Sequence, residues 1–285
     1  MRRIAALAFA IALTLSIAAP VAAVGPGESG SHAPVYYLSL GDSLSVGEQP
    51  LGPDGTGVAT DQGYADQLFA IAQARYPDLR LVKLGCRGET TATMIAGGVC
   101  AYDHGSQLAQ AVSFLHAHRQ FVVLVTIDIG ANDFPCQDSE ACLAAGFASI
   151  GGNLPRILAE LREAAGPATP IVGATIYDPV LGAWFLGPQG QALATASVPV
   201  FATVNSFLTS IYTAAGVPVA DVQGAFSTAD FTPVPELGGL PLNVARICQW
   251  TWVCAPAPYG PNNHANAAGY AAIAQAFAAV LSPLI

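Results

Sequence analysis

Residues 121–129 read FVVLVTIDI, apolar and mostly β-branched. A strand of that kind has no wet face, so it belongs inside a parallel sheet covered by helices on both sides. Parallel neighbours require long crossover connections, and the rest of the chain is patterned to provide them. Short apolar runs at 35–40, 79–84, 171–176 and 217–222 read as four more strands. Helical spacing marks 65–75, 106–118, 147–165, 199–215 and 266–281 between and after them. The expectation is an α/β fold, a three-layer α/β/α sandwich on a five-stranded parallel sheet with right-handed crossovers. Ligands of such sheets gather beyond the carboxyl ends of the strands. Ser43 and Asn132 fall there, just past the first and third strands.

The amino terminus is set apart from this pattern. Met1-Arg2-Arg3 is basic, residues 4–19 are apolar, and Val21-Ala22-Ala23 ends in small residues, the three-part pattern of a secretory leader. The apolar run is shorter than the about 20 residues a membrane span needs, and no cysteine beside the cleavage point offers a lipid attachment. Residues 1–23 are therefore expected to be a signal peptide and 24–285 a single domain, with no stable membrane anchor. No later stretch reads as apolar for long enough to span a bilayer.

Composition closes some classes of function. The chain is 53% hydrophobic, enough for a substantial core, and without Arg2 and Arg3 it keeps 8 basic residues against 19 acidic ones, a formal charge of −11. Nucleic-acid binding needs clustered Lys and Arg, and Lys83 is the single lysine, so no nucleic-acid partner is expected. Six cysteines in a secreted chain read as three disulfides. Their spacing favours sequential pairing, Cys86 with Cys100, Cys136 with Cys142 and Cys248 with Cys254. Zinc binding is the competing reading, but no C-x-x-C or Cys/His cluster accompanies it.

Two stretches break the alternation. Residues 180–198, with Trp184 and Phe185, are punctuated by Gly and Pro, and residues 223–263, with Trp250 and Trp252, look irregular. Long loops rich in apolar residues are usually functional, so both are expected to wall the ligand pocket. Surface packing is the alternative for any one of these aromatics.

Four short blocks carry residues suited to chemistry: Gly41-Asp42-Ser43-Leu44, then Leu84-Gly85-Cys86-Arg87-Gly88-Glu89-Thr90-Thr91, then Gly130-Ala131-Asn132-Asp133, and last Pro261-Asn262-Asn263-His264 leading into Ala265-Asn266-Ala267-Ala268-Gly269-Tyr270. A serine, an amide and a histidine are the nucleophile, oxyanion donor and base that ester hydrolysis needs. The ordered set resembles the GDSL, or SGNH, family of serine hydrolases, in its secreted, bacterial, disulfide-containing form. The resemblance implies the SGNH hydrolase fold with a flavodoxin-like sheet. It also implies a secreted carboxylic ester hydrolase, an esterase or lipase, acting through an acyl-enzyme on a small-molecule or lipid ester. Such an enzyme is expected to be a monomer and to need no metal or organic cofactor. By the same resemblance Ser43 is the nucleophile and His264 the base. The N–H groups of Ser43 and Gly88 and the side chain of Asn132 then form the oxyanion hole. Plainer readings exist for each alone, since Ser43 suits a helix cap and Asn132 a turn.

The chain departs from the family pattern at one position. Many members carry an aspartate three residues before the histidine, and here Pro261 stands there. The expectation is a Ser43–His264 dyad with the Pro261 backbone carbonyl orienting the ring, and a carboxylate from elsewhere, such as Asp230, is the alternative. His32, His104, His116 and His118 compete poorly for the base; His116 and His118 lack a third metal ligand. Each expected disulfide would staple a loop bearing one site residue. A carbohydrate acetylesterase and a non-catalytic binding protein on the same fold are the alternative functions.

Overall fold

Side chains of a strand alternate between its two faces, and each face of this sheet carries its own core. Val125 and Ile127 pack with Leu38 and Leu40 on one side, while Leu124 packs with Tyr37 and Val172 on the other. The computed structural model describes residues 34–134 and 139–282. The expected leader 1–23 and Cys136 lie outside the described residues.

In chain order the elements are β1 (Val35–Gly41), α1 (Tyr64–Ala72), β2 (Leu79–Lys83), α2 (Thr91–Ala96), α3 (Gln107–His118), β3 (Val122–Asp128), α4 (Glu140–Ala165), β4 (Ile171–Ala174), α5 (Pro188–Ala214), β5 (Val219–Ala220) and α6 (Val222–Ala225). A two-stranded ribbon of β6 (Pro233–Val234) and β7 (Leu240–Pro241) follows, then α7 (Leu242–Trp250) and α8 (Ala267–Leu281). The main sheet has the order β2-β1-β3-β4-β5, with every neighbouring pair parallel. Helices α2 to α5 cover one face, and α1, α6, α7 and α8 cover the other. This is the flavodoxin-like α/β/α sandwich expected from the sequence. The strand order reverses between β1 and β3, so the crevice beyond their carboxyl ends is the switch point where ligands of such sheets bind.

Two of the sequence expectations for local structure are corrected. Residues 180–198 are not an insertion. A short 3-10 helix runs from Pro179 to Leu186, and α5 begins at Pro188, eleven residues before the expected start. Pro199 reads as a helix start because proline lacks an N–H, yet here it lies inside α5, and Pro188 takes the first-turn position that tolerates it. The buried stripe Gly190, Ala194, Ser197, Phe201, Val204, Leu208 and Tyr212 keeps a spacing of three and four throughout. At 27 residues, α5 is also long and apolar enough to cross a bilayer by length and composition, against the sequence expectation, although this stripe is buried. Nor is 223–263 irregular throughout, because it contains α6, the ribbon and α7.

Candidate active site

The turn after β1 is shaped by its backbone. Gly41 has φ of +134°, a conformation that disfavours any residue with a Cβ, and a Cβ there would sit 2.1 Å from the Asp128 carbonyl oxygen. The Gln107 side chain from α3 brackets the same peptide. Its Oε1 accepts from the Gly41 N–H at 2.7 Å, and its Nε2 donates to the Gly41 carbonyl at 2.9 Å. Beyond it, Asp42 Oδ1 accepts from the Leu44 amide at 3.0 Å and the Asp42 carbonyl accepts from the Ser45 hydroxyl at 2.7 Å. Ser43 is held at the apex of this turn, partly exposed.

The loop after β2 lies alongside. Cys86 donates its amide to the Gly41 carbonyl at 3.0 Å, and the Cys86–Cys100 disulfide closes the loop. Gly88 adopts φ of +75° with no atom within 4 Å of the position a Cβ would take, so the glycine is required by conformation and not by crowding. Neither the Ser43 nor the Gly88 amide donates to any acceptor among the described residues. Two donors left unengaged at one cleft are suited to a developing oxyanion.

Past β3, Gly130 and one 3-10 turn (Ala131–Asp133) bring Asn132 to the same place. Its Nδ2 donates to the Glu89 carbonyl at 3.0 Å and to Asp42 Oδ2 at 3.3 Å. Asp133 turns inward and accepts from the Thr91 amide at 2.9 Å, the Thr91 hydroxyl at 2.6 Å and the Ser149 hydroxyl, tying α2 and α4 to the turn.

His264 precedes α8, whose N-terminus is capped by Asn266. Its carbonyl accepts from the Trp252 amide at 3.0 Å, within the segment that the Cys248–Cys254 disulfide closes. The ring is oriented by a side chain that sequence reasoning passed over. Asn262 Oδ1 lies 2.9 Å from the His264 amide nitrogen and 2.8 Å from His264 Nδ1. A backbone N–H only donates, so the atom facing it is an oxygen acceptor, and Nδ1 opposite that oxygen must carry the hydrogen. The neutral ring therefore leaves its Nε2 lone pair free to accept a proton. This corrects the expected role of the Pro261 carbonyl: the loop register presents the Asn262 side chain to Nδ1 instead. Asp230 is not the missing carboxylate either, because it is bonded to the Thr232 amide at 2.8 Å and does not line the cleft that holds His264. The carboxylate beside the ring is Glu48, with Oε2 3.4 Å from Nε2.

Ser43, Gly88, Asn132 and His264 all line one cleft of about 770 Å³. No hydrogen bond joins the Ser43 hydroxyl to His264 Nε2 among the described residues; such contacts often tighten only when substrate is bound. One wall of the cleft is apolar, built from Phe134, Leu143, Ile176, Val200, Phe201 and Val204. The expected wall residues Trp184, Phe185, Trp250 and Trp252 are not part of it. Trp184 and Phe185 line a separate groove with Phe231, Trp250 packs against Phe226, and Trp252 packs against Tyr259. Of the expected disulfides two are present. Cys142 is also disulfide-bonded, but its expected partner Cys136 lies outside the described residues.

Burial sets the electrostatics beneath the site. It pushes the Asp42 carboxyl up to about 6, and burial, followed by the like charge of Asp42, holds Asp128 well above the usual carboxylate range. Asp128 Oδ1 accepts from the Tyr64 hydroxyl at 2.6 Å, and the Asp128 carboxyl hydrogen-bonds the Asp42 carboxyl, which raises the pKa of Asp128 and lowers that of Asp42, as suits a proton held on Asp128. Stability from Asp128 is full below its unfolded pKa of about 3.9 and is lost as pH rises through the raised folded value. Asp128→Asn, which keeps the acceptor for Tyr64, is expected to raise Tm by about 2–4 °C at pH ~8, the effect of about 1 kcal/mol in a domain this size. The gain should shrink towards pH ~4, where both forms are neutral. Thermal melts across that range check it, and a gain independent of pH would contradict the assignment.

The sequence model of the GDSL-like lipase/acylhydrolase family matches residues 39–272. No curated protein matches the chain in sequence. Among solved structures, the chain is similar to an acetylxylan esterase from Geobacillus stearothermophilus, at 19% identity and a TM-score of 0.51 over 86% of this chain and 93% of that one. It is similar to the extracellular lipase from Streptomyces rimosus, at 22% identity and a TM-score of 0.51 over 88% of this chain and 100% of that one. A lipase from a goat rumen metagenome aligns at 16% identity and a TM-score of 0.51 over 86% and 96% of the two chains. At these identities the likeness establishes the fold they share. With a family match across most of its length and the strand order of an SGNH hydrolase, the chain belongs to the GDSL-like lipase/acylhydrolase family of ester hydrolases.

Proposed function

We propose that this cleft cleaves carboxylic esters carrying an apolar acyl chain, by nucleophilic attack of Ser43 and passage through an acyl-enzyme. One observation carries the reading: Ser43, Gly88, Asn132 and His264, from four separate segments, border the same space. His264 Nε2 takes the Ser43 proton as the hydroxyl oxygen attacks the ester carbonyl. Negative charge gathers on the carbonyl oxygen, where the N–H groups of Ser43 and Gly88 and the Asn132 amide receive it. The same Nε2–H then protonates the departing alcohol. Water, deprotonated by His264, releases the acid and restores Ser43. The proposed oxyanion hole is stiff because Gln107 braces the Gly41 peptide and the Cys86–Cys100 bridge closes the Gly88 loop, so little reorganisation accompanies charge development.

The apolar wall supports the choice of acyl chain over acetyl group. Phe134, Leu143, Val200 and Phe201 offer a methylene chain burial worth about 0.8 kcal/mol per CH₂ and offer a sugar no hydrogen bonds. Secretion through the leader 1–23 completes the proposal, in keeping with disulfides, which persist in oxidising compartments.

A fluorophosphonate probe should label the protein in one-to-one stoichiometry, and Ser43→Ala should abolish the label. Labelling that survives Ser43→Ala, or its absence from the native protein, would favour a non-catalytic protein or a different nucleophile. On p-nitrophenyl esters, kcat/KM should rise by about tenfold or more from acetate to octanoate, a modest part of the burial available to six methylenes. A preference for acetate would point to carbohydrate acetylesterase activity instead.

A further inference from the structure

The His264 ring has a neutral partner on Nδ1 and a carboxylate on the opposite side. Asn262 selects the tautomer, but its amide carries no charge to offset an imidazolium. Glu48 does carry one. It lies five residues after Ser43, with its amide donating to the Ser43 carbonyl at 3.0 Å and its carbonyl accepting from the Tyr270 hydroxyl of α8 at 2.8 Å. The backbone is thus pinned from both sides, and the side chain is 7% exposed. Oε1 fits against Gly57, where a Cβ would come within 2.0 Å of it, and accepts from Arg87 at 2.7 Å. Oε2 faces His264 Nε2 at 3.4 Å.

We propose that Glu48 is a positioning residue that supplies from the Nε2 side the negative charge that a triad aspartate would supply from the Nδ1 side, and that Arg87 limits how much of it reaches the ring. The inference rests on the reading of His264 as the base. In the resting tautomer the Nε2 lone pair points towards a carboxylate, so the two do not hydrogen-bond. Once Nε2 gains the serine proton, the same contact becomes an attraction between opposite charges. An interaction that is favourable only after proton transfer lowers the barrier and not merely the ground state.

The surrounding groups leave Glu48 and Arg87 as the charges that matter. Asp42 comes from the same turn, Tyr177 from the segment after β4 and Tyr270 from α8. Both tyrosines are neutral because burial pushes their hydroxyls far up. Burial lowers the pKa of His264, Glu48 raises it and Arg87 lowers it. Arg87 is half exposed, so its replacement perturbs charge more than packing.

The test is the acid limb of kcat/KM, which reports the ionisation of the free enzyme. Glu48→Gln should lower kcat by about tenfold and move the limb to lower pH by about 1 unit, the scale of a close opposite charge. Arg87→Gln should move the limb the other way, to higher pH, with KM changed less than kcat. Glu48→Asp, which keeps the charge but draws it back by one methylene, should fall between Glu48→Gln and the native enzyme. A limb unmoved in Glu48→Gln, or moved upward, overturns the proposal, and so does an unmoved limb in Arg87→Gln if the Glu48 variants fail to fold. Fluorophosphonate labelling of Ser43 in the same preparations separates the two levels. Labelling with an unmoved limb sinks only the role of Glu48, whereas an unlabelled native enzyme sinks the reading beneath it.

Discussion

Replacing His264 by alanine is expected to lower kcat by about 10⁴ or more while changing KM by less than about threefold. General acid–base catalysis contributes about 10²–10⁴, and a base that also activates the nucleophile acts with it as a unit, so its removal costs most of what the pair supplies. KM should hold because the apolar wall, from Phe134 to Val204, does not depend on the imidazole. Steady-state kinetics on a soluble ester near pH ~7.5 measures both. A fall in kcat under about tenfold would remove His264 from the mechanism. The native enzyme should also stay active further into acid than an ordinary histidine would allow. Burial disfavours the charged ring and lowers its pKa, Glu48 opposes this, and Arg87 adds to it, so the acid limb should have its midpoint below about 6.5.

Asn132→Ala is expected to lower kcat by about 10²–10³, the usual cost of one oxyanion donor. Its amide hydrogens now rest on the Glu89 carbonyl at 3.0 Å and on Asp42 at 3.3 Å. The longer contact is the one an oxyanion would replace, and the shorter one holds the side chain in place. Losing only these two bonds would destabilise the fold by about 1–3 kcal/mol without touching turnover in the molecules that remain folded. Turnover normalised to the folded fraction therefore separates the roles. A normalised loss below about tenfold would leave Asn132 as a brace alone.

β3 and the Gly-Ala-Asn-Asp turn after it were readable because an uninterrupted apolar, β-branched run has few other uses, and the observed strand 122–128 falls inside the expected 121–129. Helix α3 was readable to within a residue from its helical spacing, and Ser106 caps it. The start of α5 was not. Two prolines eleven residues apart both resemble a helix start, and only the close approach of Gly190 to Ala183 and Leu186 and the hydrogen bond of Ser197 to Asp178 tell which one is.

The site divides in the same way. Its four principal residues were visible because each sits in a short block whose order along the chain is itself informative. The apolar wall was misassigned to Trp184, Phe185, Trp250 and Trp252, since aromatic content in a loop does not say which way a ring faces. Val200, Phe201 and Val204 reach the cleft because of how α5 is rotated on the sheet. Asn262 and Glu48 were missed for a related reason. Which of two adjacent residues meets Nδ1 is a matter of loop register, and a glutamate five positions past the serine meets the ring only through the turn and α8.

The fold class, the family and the chemical identity of the groups at the switch point could be read from the residues alone, because periodicity and short ordered blocks are local properties of a chain. Which charge faces which nitrogen of His264, and which side chains wall the cleft, emerged only from the folded chain. Those depend on helix rotation and loop register, set by packing between segments up to 222 residues apart, as for Tyr270 and Glu48. Interactions of that range fall off within a few ångströms and leave no period along the chain from which to read them.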